Sequence, residues 1–271
     1  AFCPYFGEYK GYTQNFGGTL VECRSNLETF QPDMDDLKAK ITEKTKAVII
    51  NTPNNPTGVI YTDESLKALA DVLLNKEKEY SHEIYLISDE PYRELVYDGN
   101  KEKFLTGFYH NTLVGYSFSK SLSLPGERIG YIAVPNAVTD YDDMMNGLEI
   151  NTRQLGFVNA PSLMQKAVAL SIDEKTDVAY YDKNRRLLYE SLSKMGYTCI
   201  KPDGAFYMWV KSPMPDEEEF VNAAKKHHIL MVKGSAFACP GFVRLAYCTS
   251  YETIERSLPA FEALAKELNL K

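Results

Sequence analysis

Long apolar runs, paired cysteines, a basic excess and histidine clusters are all missing from this chain, and each absence closes off a class of protein. No apolar stretch approaches the ~20 residues that a membrane-spanning helix needs, so no membrane partner is expected. The five cysteines, Cys3, Cys23, Cys199, Cys239 and Cys248, are odd in number and show no paired spacing. That pattern fits reduced thiols in a cytoplasmic protein and speaks against a disulfide framework or a zinc site. Of the four histidines, His227 and His228 are adjacent and point different ways on a helix, which reads as solvated helix-end residues, and no metal site is expected. A net charge of -7 gives no positive field for phosphate backbones, so nucleic acid is not an expected partner. The start, Ala1-Phe2-Cys3-Pro4, has no initiator methionine, charged leader or apolar core of a signal peptide, and a segment upstream is expected to be missing.

What is there has the proportions of a folded soluble chain. At 44% hydrophobic and 25% charged residues, disorder is not indicated, and 271 residues suggest two unequal domains at ~150 residues per domain. Through the first half, short apolar β-rich runs alternate with helical patterns, the mark of a mainly parallel α/β sheet with helices on both faces. Strands are expected at Ala47–Ile50, Ile84–Ile87, Leu113–Phe118 and Ile129–Val134. A helix between the first two is expected to be capped by Thr62, with Leu66, Leu69, Ala70, Leu73 and Leu74 on one face. Polar segments follow the first three strands directly, at the strand ends where open parallel sheets bind ligands. After about Ile172 the pattern changes. A connecting helix capped by Thr176 is expected to end at Gly196, followed by strands at Ala205–Val210, Ile229–Val232 and Val243–Ala246, a helix starting at Asp216, and a last helix from about Ser250 that Pro259 should kink or interrupt. This divides the chain into a large domain, 1–172, and a connecting helix with a small α+β domain, 173–271.

Three segments carry the chemistry: Asn54-Asn55-Pro56-Thr57-Gly58, Ser88-Asp89-Glu90-Pro91-Tyr92, and Ser117-Phe118-Ser119-Lys120-Ser121 running to Gly126-Glu127-Arg128. They offer what pyridoxal phosphate requires, namely a lysine for a Schiff base, an aspartate to keep the pyridine nitrogen protonated, and hydroxyls with an arginine for the phosphate. Taken one at a time the residues stay ambiguous. Lys120 alone would most often be a solvated surface lysine, Asp89 could be a turn or cap residue, and the Asn-Pro segment an ordinary turn.

In order and spacing, these segments together with Gly241-Phe242-Val243-Arg244-Leu245 resemble the class I aminotransferases of fold type I, similar to bacterial aspartate and aromatic aminotransferases, over nearly the whole chain. The resemblance implies pyridoxal 5'-phosphate as cofactor and reversible amino transfer between an L-amino acid and a 2-oxo acid. It makes Lys120 the Schiff-base lysine and proton carrier, Asp89 the pyridinium partner, and Asn55 and Tyr92 the ligands of the ring oxygen. Ser117, Ser119 and Arg128 go to the phosphate, and Arg244 to the substrate α-carboxylate, where the alternative is a surface arginine beside a strand. Phe6 resembles the aromatic residue stacked on the pyridine ring, or else belongs to the core, and Phe206 and Tyr207 resemble residues of the substrate pocket. A homodimer is implied, with Asn159-Ala160-Pro161 near its interface. The family also carries a stretch ahead of the position matching Ala1, so the chain is expected to be N-terminally truncated. A C–S β-lyase on the same cofactor, or an inactive fragment, are alternatives that the motifs leave open.

Overall fold

Helices α1 (Glu8–Asn15) and α2 (Met34–Lys40) open the computed structural model, which describes residues 1–101 and 103–270. A four-stranded sheet then forms in the order β1 (Ala47–Asn51), β2 (Tyr85–Asp89), β3 (Thr112–Ser117), β4 (Gly130–Ala133). β1, β2 and β3 run parallel and β4 turns back antiparallel. Helix α3 (Asp63–Tyr80) makes the crossover from β1 to β2, and the single turn α4 (Phe118–Ser121) follows β3 without a loop. In register, Asn51 lies opposite Asp89 and Asp89 opposite Gly115, so three strand ends stand in one row.

Thr62 caps α3 as its residue type predicts, its hydroxyl accepting from the Ser65 amide, and Leu66, Leu69, Ala70 and Leu73 are buried against Val48, Ile50 and Leu86 of the sheet. At roughly 1.5–3 kcal/mol for each fully buried large aliphatic side chain, this face is a main reason the crossover stays on the sheet.

Helices α5 (Tyr141–Gln154) and α6 (Ser162–Leu170) precede the long helix α7 (Val178–Lys194). A second sheet, antiparallel throughout, follows from β5 (Cys199–Ile200), β6 (Tyr207–Lys211), β7 (Val232–Lys233) and β8 (Phe242–Ala246), in the order β5-β6-β8-β7. Helices α8 (Glu217–Lys226) and α9 (Tyr251–Glu267) pack on it with α7 around Leu192, Met208, Phe220, Val243 and Leu264.

Several boundaries depart from the sequence expectation for identifiable reasons. Asp177, not Thr176, caps α7 by accepting from the Tyr180 amide, and the Thr176 hydroxyl instead points to the Ser121 carbonyl, donating to it at 2.5 Å. The expected strand at Ile229–Val232 shrinks to Val232–Lys233, since the Ile229 amide is used in the turn that ends α8. Helix α9 runs unbroken through Pro259; both Pro259 and Glu255, whose carbonyl loses its donor, face solvent, so water can replace the missing bond.

Gly58 ties the two sheets together. It has φ +75, and a Cβ there would lie 2.7 Å from Pro202 Cβ and 2.8 Å from the Tyr207 carbonyl, so only glycine lets the loop after β1 reach the strand that begins β6. Its carbonyl accepts from the Asp203 and Gly204 amides, both at 2.9 Å. Arg185, 2% exposed, strengthens the same junction through Asp98 and Asp182, at 2.8 and 2.6 Å, and the Pro202 carbonyl.

One side of the molecule is open. All of β4 is exposed, α5 buries no residue, and more than half of the exposed large apolar side chains among the described residues lie between Tyr131 and Ile172. These side chains belong to β4, α5, α6 and the segments beside them. Among the described residues, no helix is long and apolar enough to cross a membrane.

Candidate active site

The row of strand ends is wired together by Asn51. Its amide nitrogen donates to the Asp89 carbonyl at 2.7 Å, and its Oδ1 accepts from the Asn55 amide at 2.6 Å, so one side chain sets both β2 and the loop after β1. Asn54 shapes the rest of that loop, its Oδ1 accepting from both the amide and the hydroxyl of Thr57. The loop is a turn, as its composition suggests, but a buried one that carries Asn55 across to the second sheet. There Asn55 Oδ1 accepts from Arg244 Nη1 of β8 at 2.8 Å, which leaves the Asn55 amide nitrogen to donate elsewhere.

Asp89 ends β2 half-buried and lines a cleft of about 470 Å³ with Gly115, Ser117, Ser119, Arg128, Tyr131 and Thr152. Burial holds its carboxyl above the ordinary carboxylate value, with the charge of Glu90 adding to this and a hydrogen bond from Tyr9 opposing it. The Tyr9 hydroxyl donates to Asp89 Oδ2 at 2.5 Å. Burial and the Asp89 charge push the Tyr9 phenol well up, so it stays a donor.

Ser117 caps α4, accepting from the Ser119 amide, and its own hydroxyl lies 2.7 Å from Ser119 Oγ. Both serines and Lys120 are thus fixed on one turn immediately after β3. Lys120 Nζ lies 5.4 Å from the centre of the Phe206 ring and 6.0 Å from that of Tyr92, so its amine sits against aromatic walls rather than in open solvent. Arg128 is exposed, in the left-handed region at φ 53, and donates to the carbonyl of Pro125 at 2.7 Å.

On the far side, Arg244 is held between Tyr207 and Phe237, its guanidinium carbon 4.4 and 4.8 Å from their ring centres. Its Nε is buried without a hydrogen-bond partner among the described residues. Tyr92 is buried, and its hydroxyl meets that of Tyr207 at 2.9 Å.

Among the residues singled out by sequence, then, Asn55 and Arg244 are bonded directly, and Lys120 and Tyr92 share an aromatic wall. Asp89, Ser117, Ser119 and Arg128 line one cleft. Phe6 is half-buried and meets Tyr9 edge to face at 5.7 Å, one residue removed from Asp89. Sequence reasoning missed Tyr9 and Asn51. Tyr9 had a usable signal, its spacing of three from Phe6, which the turn bond from the Tyr9 amide to the Phe6 carbonyl makes effective. Asn51 had a weaker one, a side-chain amide at the end of an apolar strand. Among the described residues, no group of three or more His, Cys, Asp or Glu side chains could hold a metal ion.

Comparison with known proteins gives a single answer. The profile of aminotransferase class I and II matches residues 1–261. Aromatic-amino-acid aminotransferase 2 of Thermococcus litoralis is 32% identical over 98% of this chain and 69% of its own length. A probable aspartate/prephenate aminotransferase of Thermus aquaticus is 33% identical over 95% and 67%. Among solved structures, an amino transferase from Eubacterium rectale superposes with a TM-score of 0.96 at 48% identity, covering 99% of this chain and 67% of that one. Thermus thermophilus aspartate aminotransferase with maleate gives a TM-score of 0.81 at 28% identity, covering 97% and 68%. The chain spans about two thirds of the length of these relatives. With an amine, a carboxylate and a guanidinium gathered at the strand ends of this α/β fold, the chain belongs to the class I and II aminotransferases, pyridoxal-phosphate-dependent enzymes of amino-group transfer.

Proposed function

We propose that this chain moves an amino group between an L-amino acid and a 2-oxo acid, with Lys120 as anchor and proton carrier. The observation that carries this reading is the Arg244–Asn55 bond at 2.8 Å, which brings a carboxylate-binding fork from β8 to the loop beside Asp89. The residues present suit pyridoxal phosphate. Asp89 is a carboxylate held above its ordinary pKa in a cleft, a state that a cationic ring nitrogen would relieve.

In this reading Asp89 would accept the ring N–H, Asn55 and Tyr92 would donate to the ring oxygen, and Phe6 would cover the ring face. Ser117, Ser119 and Arg128 hold the phosphate, a double anion suited to hydroxyl donors and a guanidinium. Arg244 receives the substrate α-carboxylate; its planar fork suits that geometry, and its stacking on Tyr207 and Phe237 orders it beforehand. When bound, the cofactor supplies an electron sink for the negative charge left at the substrate Cα. Lys120 Nζ would take the proton from the substrate Cα and hold it for return, one amine serving as both base and acid. Phe206 and Tyr92 beside Nζ keep water from competing for the proton.

We extend the same reading to organisation. A large unit, 1–172, built on the first sheet, and a smaller one, 173–271, built on the second, would place the site between them. The exposed apolar side chains from Tyr131 to Ile172 support a homodimer with that face covered. The five unpaired cysteines support a reducing, cytoplasmic setting.

Borohydride reduction after incubation with pyridoxal phosphate, followed by peptide mass spectrometry, tests the reading. A single adduct on Lys120 is expected. Label spread over many lysines, or none, overturns it. Tyr9→Phe should weaken cofactor binding about tenfold or more, since it removes a hydrogen bond to a charged group, and should raise the Asp89 pKa further by deleting the hydrogen bond that opposes its burial. Absorbance titration with the cofactor measures the first effect, and the pH dependence of that affinity the second.

A further inference from the structure

Tyr207 touches both ends of the site. Its hydroxyl meets the Tyr92 hydroxyl at 2.9 Å, the two rings crossing at 83° with centroids 5.6 Å apart, and both residues are buried. The register of β6 and β8 pairs Tyr207 with Ala246 and Trp209 with Arg244, so Arg244 is the diagonal neighbour of Tyr207 on the adjacent strand. Its guanidinium lies over the Tyr207 ring at 4.4 Å. One side chain therefore contacts a residue assigned to the cofactor's ring oxygen and the residue assigned to the substrate carboxylate.

Two hydroxyls at this distance share one hydrogen. One of them donates, and the other accepts and keeps its own proton for a third group. The surroundings decide which. The Arg244 guanidinium over the Tyr207 ring, 4.4 Å from its centre, favours negative charge on that phenol, whereas burial pushes the Tyr92 phenol far up. The cation stacked on Tyr207 makes it the better donor of the two.

We propose that Tyr207 is a positioning residue with two separable ends: its hydroxyl donates to Tyr92 and turns the only proton of Tyr92 toward the cleft, while its ring holds the Arg244 guanidinium ready for a carboxylate. The proposal rests on the aminotransferase reading of the same site. It gives a reason for a tyrosine here, since a phenylalanine would stack on Arg244 equally well and leave Tyr92 without a donor.

Three variants separate the ends. Tyr207→Phe keeps the ring and removes the hydroxyl. Its pyridoxal phosphate dissociation constant should rise about fivefold, the equivalent of one hydrogen bond. The pH midpoint of the bound cofactor's absorbance change should move upward, because a weaker donor on the ring oxygen leaves that oxygen holding its neighbouring proton more tightly. Tyr92→Phe should move the midpoint in the same direction and further. Maleate binding to the cofactor-free Tyr207→Phe protein, measured by calorimetry, should stay within about twofold of the parent, since the stacking is kept. Tyr207→Leu should weaken that binding about fivefold or more. Melting curves check that each variant folds, and the Tyr207→Phe measurements decide the hydroxyl end whether or not Tyr207→Leu does.

Parent-like cofactor affinity and midpoint in Tyr207→Phe would overturn the hydroxyl end, and parent-like maleate affinity in Tyr207→Leu the ring end. A parent chain that forms no adduct at Lys120 would overturn the aminotransferase reading and the hydroxyl end with it. The maleate measurement needs no cofactor and still decides the ring end.

Discussion

Lys120→Ala should lower half-transamination by at least about 10⁴-fold, the upper end of what one positioned acid–base group contributes, and should abolish borohydride-trapped label at that position. Stability should change little. The side chain is half-buried and forms no ion pair among the described residues, and the helical turn that carries it is held by backbone and serine contacts that alanine keeps. Single-turnover absorbance with an amino acid donor measures the first effect and a urea melt the second. Turnover at the parent rate in a folded Lys120→Ala protein would remove Lys120 from the mechanism. Loss of activity with loss of the fold would instead make α4 a structural element.

Asp89→Asn separates stability from function in the opposite sense. Its carboxyl has a folded-state pKa above the ordinary 3.8, so the stability it contributes is fully present below that value and is lost as pH rises through the raised one. Without cofactor, the asparagine variant should therefore match the parent near pH 3.5 and exceed it at pH 7, because it has no charge to bury and can still accept from Tyr9. With cofactor the order reverses. Leaving a cationic ring nitrogen without its carboxylate costs about 3–5 kcal/mol, equivalent to about 10²- to 10⁴-fold in rate. Urea denaturation across pH on the cofactor-free proteins, beside amino-transfer rates, reads both effects. A variant less stable than the parent at neutral pH would show that Asp89 is satisfied by contacts other than Tyr9.

Local signals explain most of what could be read in advance. Thr62 and Asp216 cap their helices as their residue types predict, accepting from the Ser65 and Glu218 amides. The strands ending at Asn51, Asp89 and Ser117 follow from apolar runs bounded by polar segments, and those strand ends locate the site. Reading failed where the partner is distant in sequence. Thr176 looks like a cap as good as Asp177, but its hydroxyl donates to the carbonyl of Ser121, fifty-five residues away. Pro259 looks like a helix breaker, and only its position on the solvent side makes it harmless. Tyr9 and Tyr207 are two aromatics among many in the sequence. Their contacts, of Tyr9 with Asp89 and of Tyr207 with Tyr92 and Arg244, are made with residues far along the chain.

These distances along the chain also set a timetable. Tyr9 meets Asp89 across 80 residues, Tyr92 meets Tyr207 across 115, and Asn55 meets Arg244 across 189. At roughly 5–20 residues per second, a ribosome making this protein would extrude Asn55 about 10–40 s before Arg244. The cofactor half of the site can therefore take shape while its carboxylate-binding half is still unwritten. A nascent chain that has emerged through α4 would already display Asp89 and Lys120, and any small aldehyde in the cell would meet that amine before Arg244 had been made.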